Sequence, residues 1–381
     1  MMRGSPSIHA SPTVSGGVGE LATLDWDFPG SVPQDLHSLH PYPAKFIPEI
    51  PKALIAALAP RSGTCVFDPF CGSGTTLVEA QRAGMSAVGV DLNPIAVLLS
   101  RVKTEPLPES IGKALAEVTE KVLAAEAVTI PEIPRLNHWF KPDVQDALAR
   151  LGQAIHSSAP ENRDILRLAM SSIIVRVSNQ DSDTRYAAVP KKVVGADVLP
   201  QFAKATKKIV AALMNRAKPS GPSRVIEGDI LKVAANQIGD VGLVVTSPPY
   251  PNAYEYWLYH KYRMWWLGFD PLCVKEHEIG ARAHFFGPKK HDASDFARQM
   301  AGLAEMLREV LVRGGHACFV VGRSRIHGQD VDNAGIIADA CAERGMELVH
   351  RIERAIRSNR KSFNLSHANI KTETILVLRR N

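Results

Sequence analysis

A hydroxyl, two prolines and an aromatic ring follow one another at Ser247-Pro248-Pro249-Tyr250, directly after an apolar run from Val241 to Val245. A short β-branched run of this kind reads as a buried strand, and open α/β sheets bind ligands just beyond the carboxyl ends of their strands. The prolines stiffen the turn, so the Ser247 hydroxyl, the turn carbonyls and the Tyr250 ring are presented in a set arrangement. Such a turn can hold a planar amine. Ser247 and the carbonyl of Pro248 can each accept one amine proton, and the ring of Tyr250 offers a face for stacking. Taken alone, the same residues also fit a Pro-Pro loop that simply ends a buried strand.

A second cluster lies far upstream, at Val66-Phe67-Asp68-Pro69-Phe70-Cys71-Gly72-Ser73-Gly74-Thr75-Thr76. Glycines after a buried strand let the backbone approach a ligand, and the helix that follows presents unpaired amides to polar or anionic groups. An amphipathic helical pattern continues through Leu77, Val78, Ala80 and Gln81. The next strand, Ser86 to Val90, ends in Asp91, which is placed to accept hydrogen bonds from ribose hydroxyls. Leu77 stands where a dinucleotide fingerprint has its third glycine, which makes a nicotinamide enzyme the weaker reading.

Together, Asp68-Pro69-Phe70-x-Gly72-x-Gly74, Asp91-x-Asn93-Pro94 and Thr246-Ser247-Pro248-Pro249-Tyr250 resemble the amino-methylating DNA methyltransferases, which use S-adenosylmethionine. His40-Pro41-Tyr42-Pro43-Ala44-Lys45-Phe46, followed by a helical Ile50 to Leu58, looks like that family's motif before its first strand. Gly314-Gly315 and the strands after it look like the family's second half. The resemblance covers roughly residues 33–105 and 223–381 and leaves the middle unmatched.

The resemblance implies an α/β fold, a Rossmann-like seven-stranded class I methyltransferase sheet with its last strand antiparallel. For the cofactor it implies Phe70 beside the adenosine, Gly72 and Gly74 as points of backbone approach, and Asp68 near the methionine amino group. Asp91 would hold the ribose and Asp229 the adenine amine, with Lys45 and Thr75 as candidates for the methionine carboxylate. Asp229 also fits a helix N-cap, and Lys45 a solvated surface lysine. The implied substrate is double-stranded DNA, with the target base swung out of the duplex. Serine in the first position of the turn points to the 4-amino group of cytosine. The order of the two motifs, cofactor turn first, leaves the 6-amino group of adenine as the alternative. An RNA or protein amino-methyltransferase sharing the turn is a further alternative.

After the turn, Asn252 to Gly268 is dense in aromatic residues. At helical spacing Trp257, Tyr262 and Trp265 or Trp266 read as core packing, while Asn252, Tyr254 and Tyr256 can border a flipped base. Arg357, Arg360 and Lys361 follow an expected strand at 346–355 and would sit in a loop gripping phosphate. A solvated charged hairpin is the alternative.

The elements that must position these residues are legible as apolar runs. Strands are expected at about 64–68, 86–91, 224–228, 242–246, 316–322, 346–355 and 372–379. Between the second and third, four helical patterns run over 111–127, 141–157, 162–178 and 199–217, with a polar loop at 178–186. So long a separation reads as a mostly helical insertion, 106–222, a candidate target-recognition region. The catalytic domain is then 23–105 with 223–381, and residues 1–22, rich in Gly, Ser and Pro, read as a disordered arm.

Composition fits without discriminating. The 381 residues carry a net charge of +6, and 45% of them are hydrophobic. Basic surface attracts phosphate through counterion release. Five cysteines without regular spacing argue for a reducing compartment and against a disulfide framework or a zinc site, so no metal is expected. No apolar stretch is long enough to span a membrane and the first 30 residues lack a signal-peptide pattern, so a bacterial or archaeal cytoplasm is expected. A cognate restriction or defence partner is a candidate, and the residues do not specify an oligomeric state.

Overall fold

The computed structural model describes residues 18–28, 35–183, 185–216, 220–252, 254–286, 290–356 and 372–381. Its strands are β1 (Cys65–Asp68), β2 (Ala87–Asp91), β3 (Gln180–Ser182), β4 (Arg185–Ala188), β5 (Ser223–Glu227) and β6 (Val241–Thr246). Then follow β7 (Leu311–Gly322), β8 (Ser324–Ile326), β9 (Gln329–Val331), β10 (Met346–Ala355) and β11 (Thr372–Arg380). Among the described residues, seven of them form one sheet in the order β10-β11-β7-β6-β1-β2-β5. All seven are the strands expected from the apolar runs.

Strands β5, β2, β1, β6 and β7 run parallel, with Phe67 opposite both Val88 and Val244. Strand β11 is antiparallel to β7 and to β10. From β1 the chain steps outward through β2 to β5, then returns to the other side of β1 as β6. That reversal opens a crevice at the carboxyl ends of β1 and β6, the place where open α/β sheets bind ligands.

The helices are α1 (Glu49–Ala57), α2 (Thr75–Arg82), α3 (Pro94–Thr104), α4 (Ile111–Ala124), α5 (Leu136–Trp139) and α6 (Pro142–His156). They continue with α7 (Pro160–Val177), α8 (Val198–Asn215), α9 (Tyr256–Trp266), α10 (Pro271–His277), α11 (Ala293–Val310) and α12 (Asn333–Ala342). The apolar stripes of α11 and α12 cover one face of the sheet, where Phe296, Leu303 and Ile337 meet Phe67, Val244 and Phe319. On the other face Leu54 and Ile55 of α1, Leu77 of α2 and Val97 of α3 pack on Val66, Leu243, Val245 and Val320. None of the helices among the described residues is long and apolar enough to cross a membrane.

The stretch expected as an insertion carries the helices α4 to α8, and its apolar cluster extends beyond it. Leu148, Leu151, Ile165, Leu168 and Phe202 share one cluster with Leu98, Leu99 and Val102 of α3 and with Tyr262 and Trp266 of α9. Continuous packing of this kind holds the insertion firmly against the sheet-covering helices. The polar stretch 178–186 forms a hairpin, β3 to β4, rather than a plain loop. The arm expected through residue 22 is already structured from Val18, because Val18–Thr23 forms a 3-10 turn that buries Leu21.

Gly74 caps the start of α2 at φ +74°, and a Cβ there would lie 2.7 Å from Ser100 Oγ and 3.0 Å from Ser100 Cα. Gly74→Ala combines left-handed strain with overpacking against α3, and is expected to cost about 1–3 kcal/mol. Scanning calorimetry should then show a melting temperature lower by roughly 2–4 °C per kcal/mol. An unchanged Tm would mean that α3 yields freely here.

Candidate active site

One cavity of about 670 Å³ opens at the carboxyl ends of β1, β2, β5 and β6. Asp68, Phe70, Gly72 and Thr75 line it from the glycine turn, Asp91 from the end of β2, and Asp229 from the turn after β5. Ser247, Pro248, Pro249 and Tyr250 line it from the turn after β6, with Tyr254 and Tyr256 from the segment that leads into α9. Lys45 reaches it from the segment before α1.

The glycine turn and the Ser-Pro-Pro-Tyr turn are bonded to each other. Thr246 Oγ1 donates to Asp68 Oδ1 at 2.6 Å, and Thr76 Oγ1 donates to the carbonyl of Val245 at 3.2 Å. Asp68 also accepts from the Phe70 amide at 3.1 Å. Burial pushes its carboxyl up to about 6, against the lowering effect of those hydrogen bonds. Asp91 accepts from the amides of Gly72 and Asn93, both at 2.8 Å, and burial raises it to about 6 as well. Gly72 sits at φ +47°, a conformation that favours glycine, and a Cβ there would make ordinary contact with Tyr42 and the Phe70 carbonyl.

The segment before α1 is held by its own polar contacts. Lys45 Nζ donates to the carbonyls of His37 and His40 at 2.9 and 2.8 Å, and burial lowers its pKa to about 8. Lys45 is therefore tied to backbone rather than waving in solvent. Ala44 beside it holds φ +47°, a strained backbone of the kind that persists where the surroundings dictate it, at on the order of 1–3 kcal/mol. Tyr42 stacks between His260 and Tyr256, with ring centroids 5.1 and 5.8 Å away.

Asp229 is followed by a turn rather than the helix an N-cap would start. It lines the cavity while Oδ1 accepts from the Leu231 amide at 3.0 Å, capping the following turn. The aromatic segment divides as its spacing suggests: Trp257, Tyr262 and Trp266 are buried in apolar clusters. Two of the expected residues are not among those lining the cavity. Gly74 lies off the cavity, because its open side faces Ser100 of α3. Asn252 is also off it; at φ +58° its amide turns away and donates to the Arg325 carbonyl at 2.8 Å. Arg357, Arg360 and Lys361 lie outside the described residues.

Several cavity residues carry no local signal. Asp183, from the hairpin of the insertion, reaches the cavity and pairs with the fully buried Arg263 of α9. Glu278, after α10, accepts from the amides of Tyr256 and Trp257 at 3.0 and 2.8 Å, and burial pushes it up to about 8. Arg354 and Glu373 face the cavity from the ends of β10 and β11. Only the motif spacing around Asn93 gave a hint of that residue, whose Nδ2 is buried without a partner at the cavity wall while Oδ1 caps α3.

A family model described as DNA methylase, of the N6 and N4 type, matches residues 17–101. The chain is similar to the Type II methyltransferase M.MvaI of Kocuria varians, 25% identical over 57% of this chain and 53% of the relative. It is similar to the Type II methyltransferase M.BsoBI of Geobacillus stearothermophilus, 21% identical over 64% of this chain and 55% of the relative. A shorter match, 31% identical over 26% of this chain and 20% of the relative, is to the Type II methyltransferase M.MjaII of Methanocaldococcus jannaschii. The matches thus span about half the length of the first and second of these relatives and a fifth of the third. They fall on a chain whose sheet brings a glycine turn and a Ser-Pro-Pro-Tyr turn into direct contact, and the matched segments are similar to amino-methylating DNA methyltransferases of the N4/N6 type.

Proposed function

We propose that the protein methylates the exocyclic amine of a base swung out of duplex DNA, and that the base is cytosine, modified at N4. The observation that carries this reading is the Thr246–Asp68 bond, which joins the two turns over one cavity. Serine at position 247 supports cytosine over adenine, the alternative. Nucleoside chromatography of DNA treated with the protein tests the choice: 4-methylcytosine is expected, and 6-methyladenine without it would overturn cytosine. Tritium transfer compared across duplex DNA, RNA and protein tests the substrate class, with label expected in duplex DNA alone.

The cavity residues fit S-adenosylmethionine. A left-handed glycine, several carboxylates with Asp68 and Asp91 among them, and an orphaned Asn93 amide line it, and its volume is in the range of small-ligand sites. We assign Asp91 to the ribose, Phe70 and Asp229 to the adenine, Asp68 to the methionine amino group, and Lys45 with Thr75 to the carboxylate. When bound, the cofactor supplies a methyl group on a positively charged sulfur, an electrophile that needs no further activation.

The chain's own task is the amine. The lone pair of an exocyclic amine is delocalised into its ring, so the nitrogen is a poor nucleophile. Ser247 Oγ and the Pro248 carbonyl, each accepting an amine proton, draw the nitrogen toward tetrahedral geometry and localise that pair. Tyr250 and Tyr254 offer aromatic faces that hold the base against the turn. Positioning and fixed dipoles then do the work without a covalent intermediate on the enzyme.

The two raised carboxyls give a pH signature. With folded pKa values near 6 against an ordinary value of 3.8, Asp68 and Asp91 bind protons more tightly in the native than in the unfolded chain. Their protonation therefore adds to the stability of the free protein as pH falls from above 6 toward 4. Cofactor binding runs the other way, since an ionised carboxylate accepts from ribose hydroxyls and an ammonium group more strongly than a protonated one. Calorimetric titration with S-adenosylmethionine should show clearly weaker binding at pH 5 than at pH 7.5. Equal affinity at both would remove these carboxylates from the cofactor.

We place Arg357, Arg360 and Lys361 on DNA phosphates. Arg357→Ala with Arg360→Ala should weaken binding to every sequence and reduce the slope of log K against log salt by roughly 0.9 per lost contact. The protein then acts in a bacterial or archaeal cytoplasm, where a cognate restriction or defence enzyme is a candidate partner.

A further inference from the structure

Tyr250 has partners beyond its own turn. Its hydroxyl donates to Glu373 Oε1 at 2.9 Å and lies 3.5 Å from Ser247 Oγ, the long end of hydrogen bonding. Glu373 is the second residue of β11, and its other carboxylate oxygen is paired with Arg354 near the end of β10. Arg354 is almost fully buried, with its side chain 3% exposed, and its Nε donates to the Trp26 carbonyl at 2.9 Å. No motif in the sequence singles out Glu373.

Hydrogen bonds have direction, and a carboxylate paired with a guanidinium can only accept. The Tyr250 hydroxyl has a single proton, and Glu373 takes it. What Tyr250 offers Ser247 is therefore a lone pair, so the Ser247 hydroxyl proton turns toward Tyr250. That leaves the lone pairs of Ser247 Oγ for the cavity. Without the carboxylate at one end, a serine hydroxyl could as readily donate to an incoming group as accept from it.

We propose that Glu373, held in place by Arg354, is a positioning residue that sets this chain of hydrogen bonds so that Ser247 meets the substrate amine as an acceptor. The inference rests on the reading of Ser247 as the acceptor of an amine proton. On methyl transfer the N–H bond breaks and an N–C bond forms as the S–C bond breaks. The released proton passes to solvent at the cavity mouth, and Glu373 need not take it up.

Two variants test this. Tyr250→Phe keeps the ring and leaves the Arg354–Glu373 pair intact. Glu373→Gln keeps the shape but introduces an amide that can donate. Single-turnover methyl transfer to duplex DNA is expected to slow roughly 10- to 100-fold in each, with KM for DNA within about three-fold of the parent. The double variant should be no slower than the worse single, because both remove the same directional constraint. Near-parental turnover in either single variant, or losses that multiply in the double, would overturn the proposal. Should Glu373→Gln not fold, because it strands the buried Arg354 charge, Tyr250→Phe decides alone. A parent protein that methylates no DNA would overturn the reading of the activity instead, so the two failures are distinguishable.

Discussion

Ser247→Ala is expected to lower the rate of methyl transfer by roughly 10²- to 10³-fold, about 3–4 kcal/mol of transition-state stabilisation. The substitution removes one oxygen and leaves Pro248, Pro249 and the Tyr250 ring where they are. Strand β6, buried along its whole length, needs nothing from the Ser247 side chain, so the fold should be unaffected. The loss belongs to kcat because the acceptor matters most when the amine nitrogen is becoming tetrahedral and its N–H bonds are most polarised. Cofactor affinity, set on the other side of the cavity, should stay at its parental value. Single-turnover transfer of a tritiated methyl group, beside calorimetric titration of S-adenosylmethionine, separates the two quantities. A variant within a few-fold of parental turnover would show that the Pro248 carbonyl alone suffices and that Ser247 is a bystander.

Asp91→Ala should abolish cofactor-dependent stabilisation. For the parent protein, S-adenosylmethionine at 100 times its dissociation constant adds about 2.7 kcal/mol to the unfolding free energy. Asp91 organises the site in two ways at once. Its carboxylate accepts the amides of Gly72 and Asn93, which fixes the shape of the glycine turn, and it lines the cavity with capacity left to accept from a ligand. Losing it releases the turn and deletes the acceptor together. The free variant should still fold, since removing a carboxylate that burial has raised to about 6 relieves a desolvation penalty. Thermal unfolding with and without cofactor is the measurement. A shift equal to that of the parent would assign ribose recognition to another residue.

The strands were legible because a parallel strand covered by helices on both faces must be apolar nearly throughout, and such runs as Val241 to Val245 stand out. The turn residues were legible because their conformational needs are local: a left-handed position selects glycine, and prolines end a strand. What a turn residue faces is not a local property. Gly74 shares the left-handed conformation of Gly72, yet its bare side meets Ser100 of α3 and only Gly72 of the two lines the cavity. Asn252 sits two residues past Tyr250 and still turns out of the site, because the Arg325 carbonyl from the β8–β9 hairpin captures its amide. The aromatic segment shows the same division, with helical spacing correctly burying Trp257, Tyr262 and Trp266 and leaving Tyr254 and Tyr256 at the cavity.

By itself the order of residues determined the strand and helix periods and the two turns to which we assign the chemistry, while the seven-stranded class of sheet was implied by the resemblance. The periods and the turns follow from propensities and hydrogen bonds spanning only a few neighbours. Only the tertiary structure decided that Asp183 comes to the cavity from the insertion, that Glu278 ties down the start of α9, and that Arg354 and Glu373 converge on Tyr250. Those contacts depend on strand order and on how helices stack across the sheet. An apolar pattern specifies which face is buried and leaves open which distant carboxylate will arrive beside it.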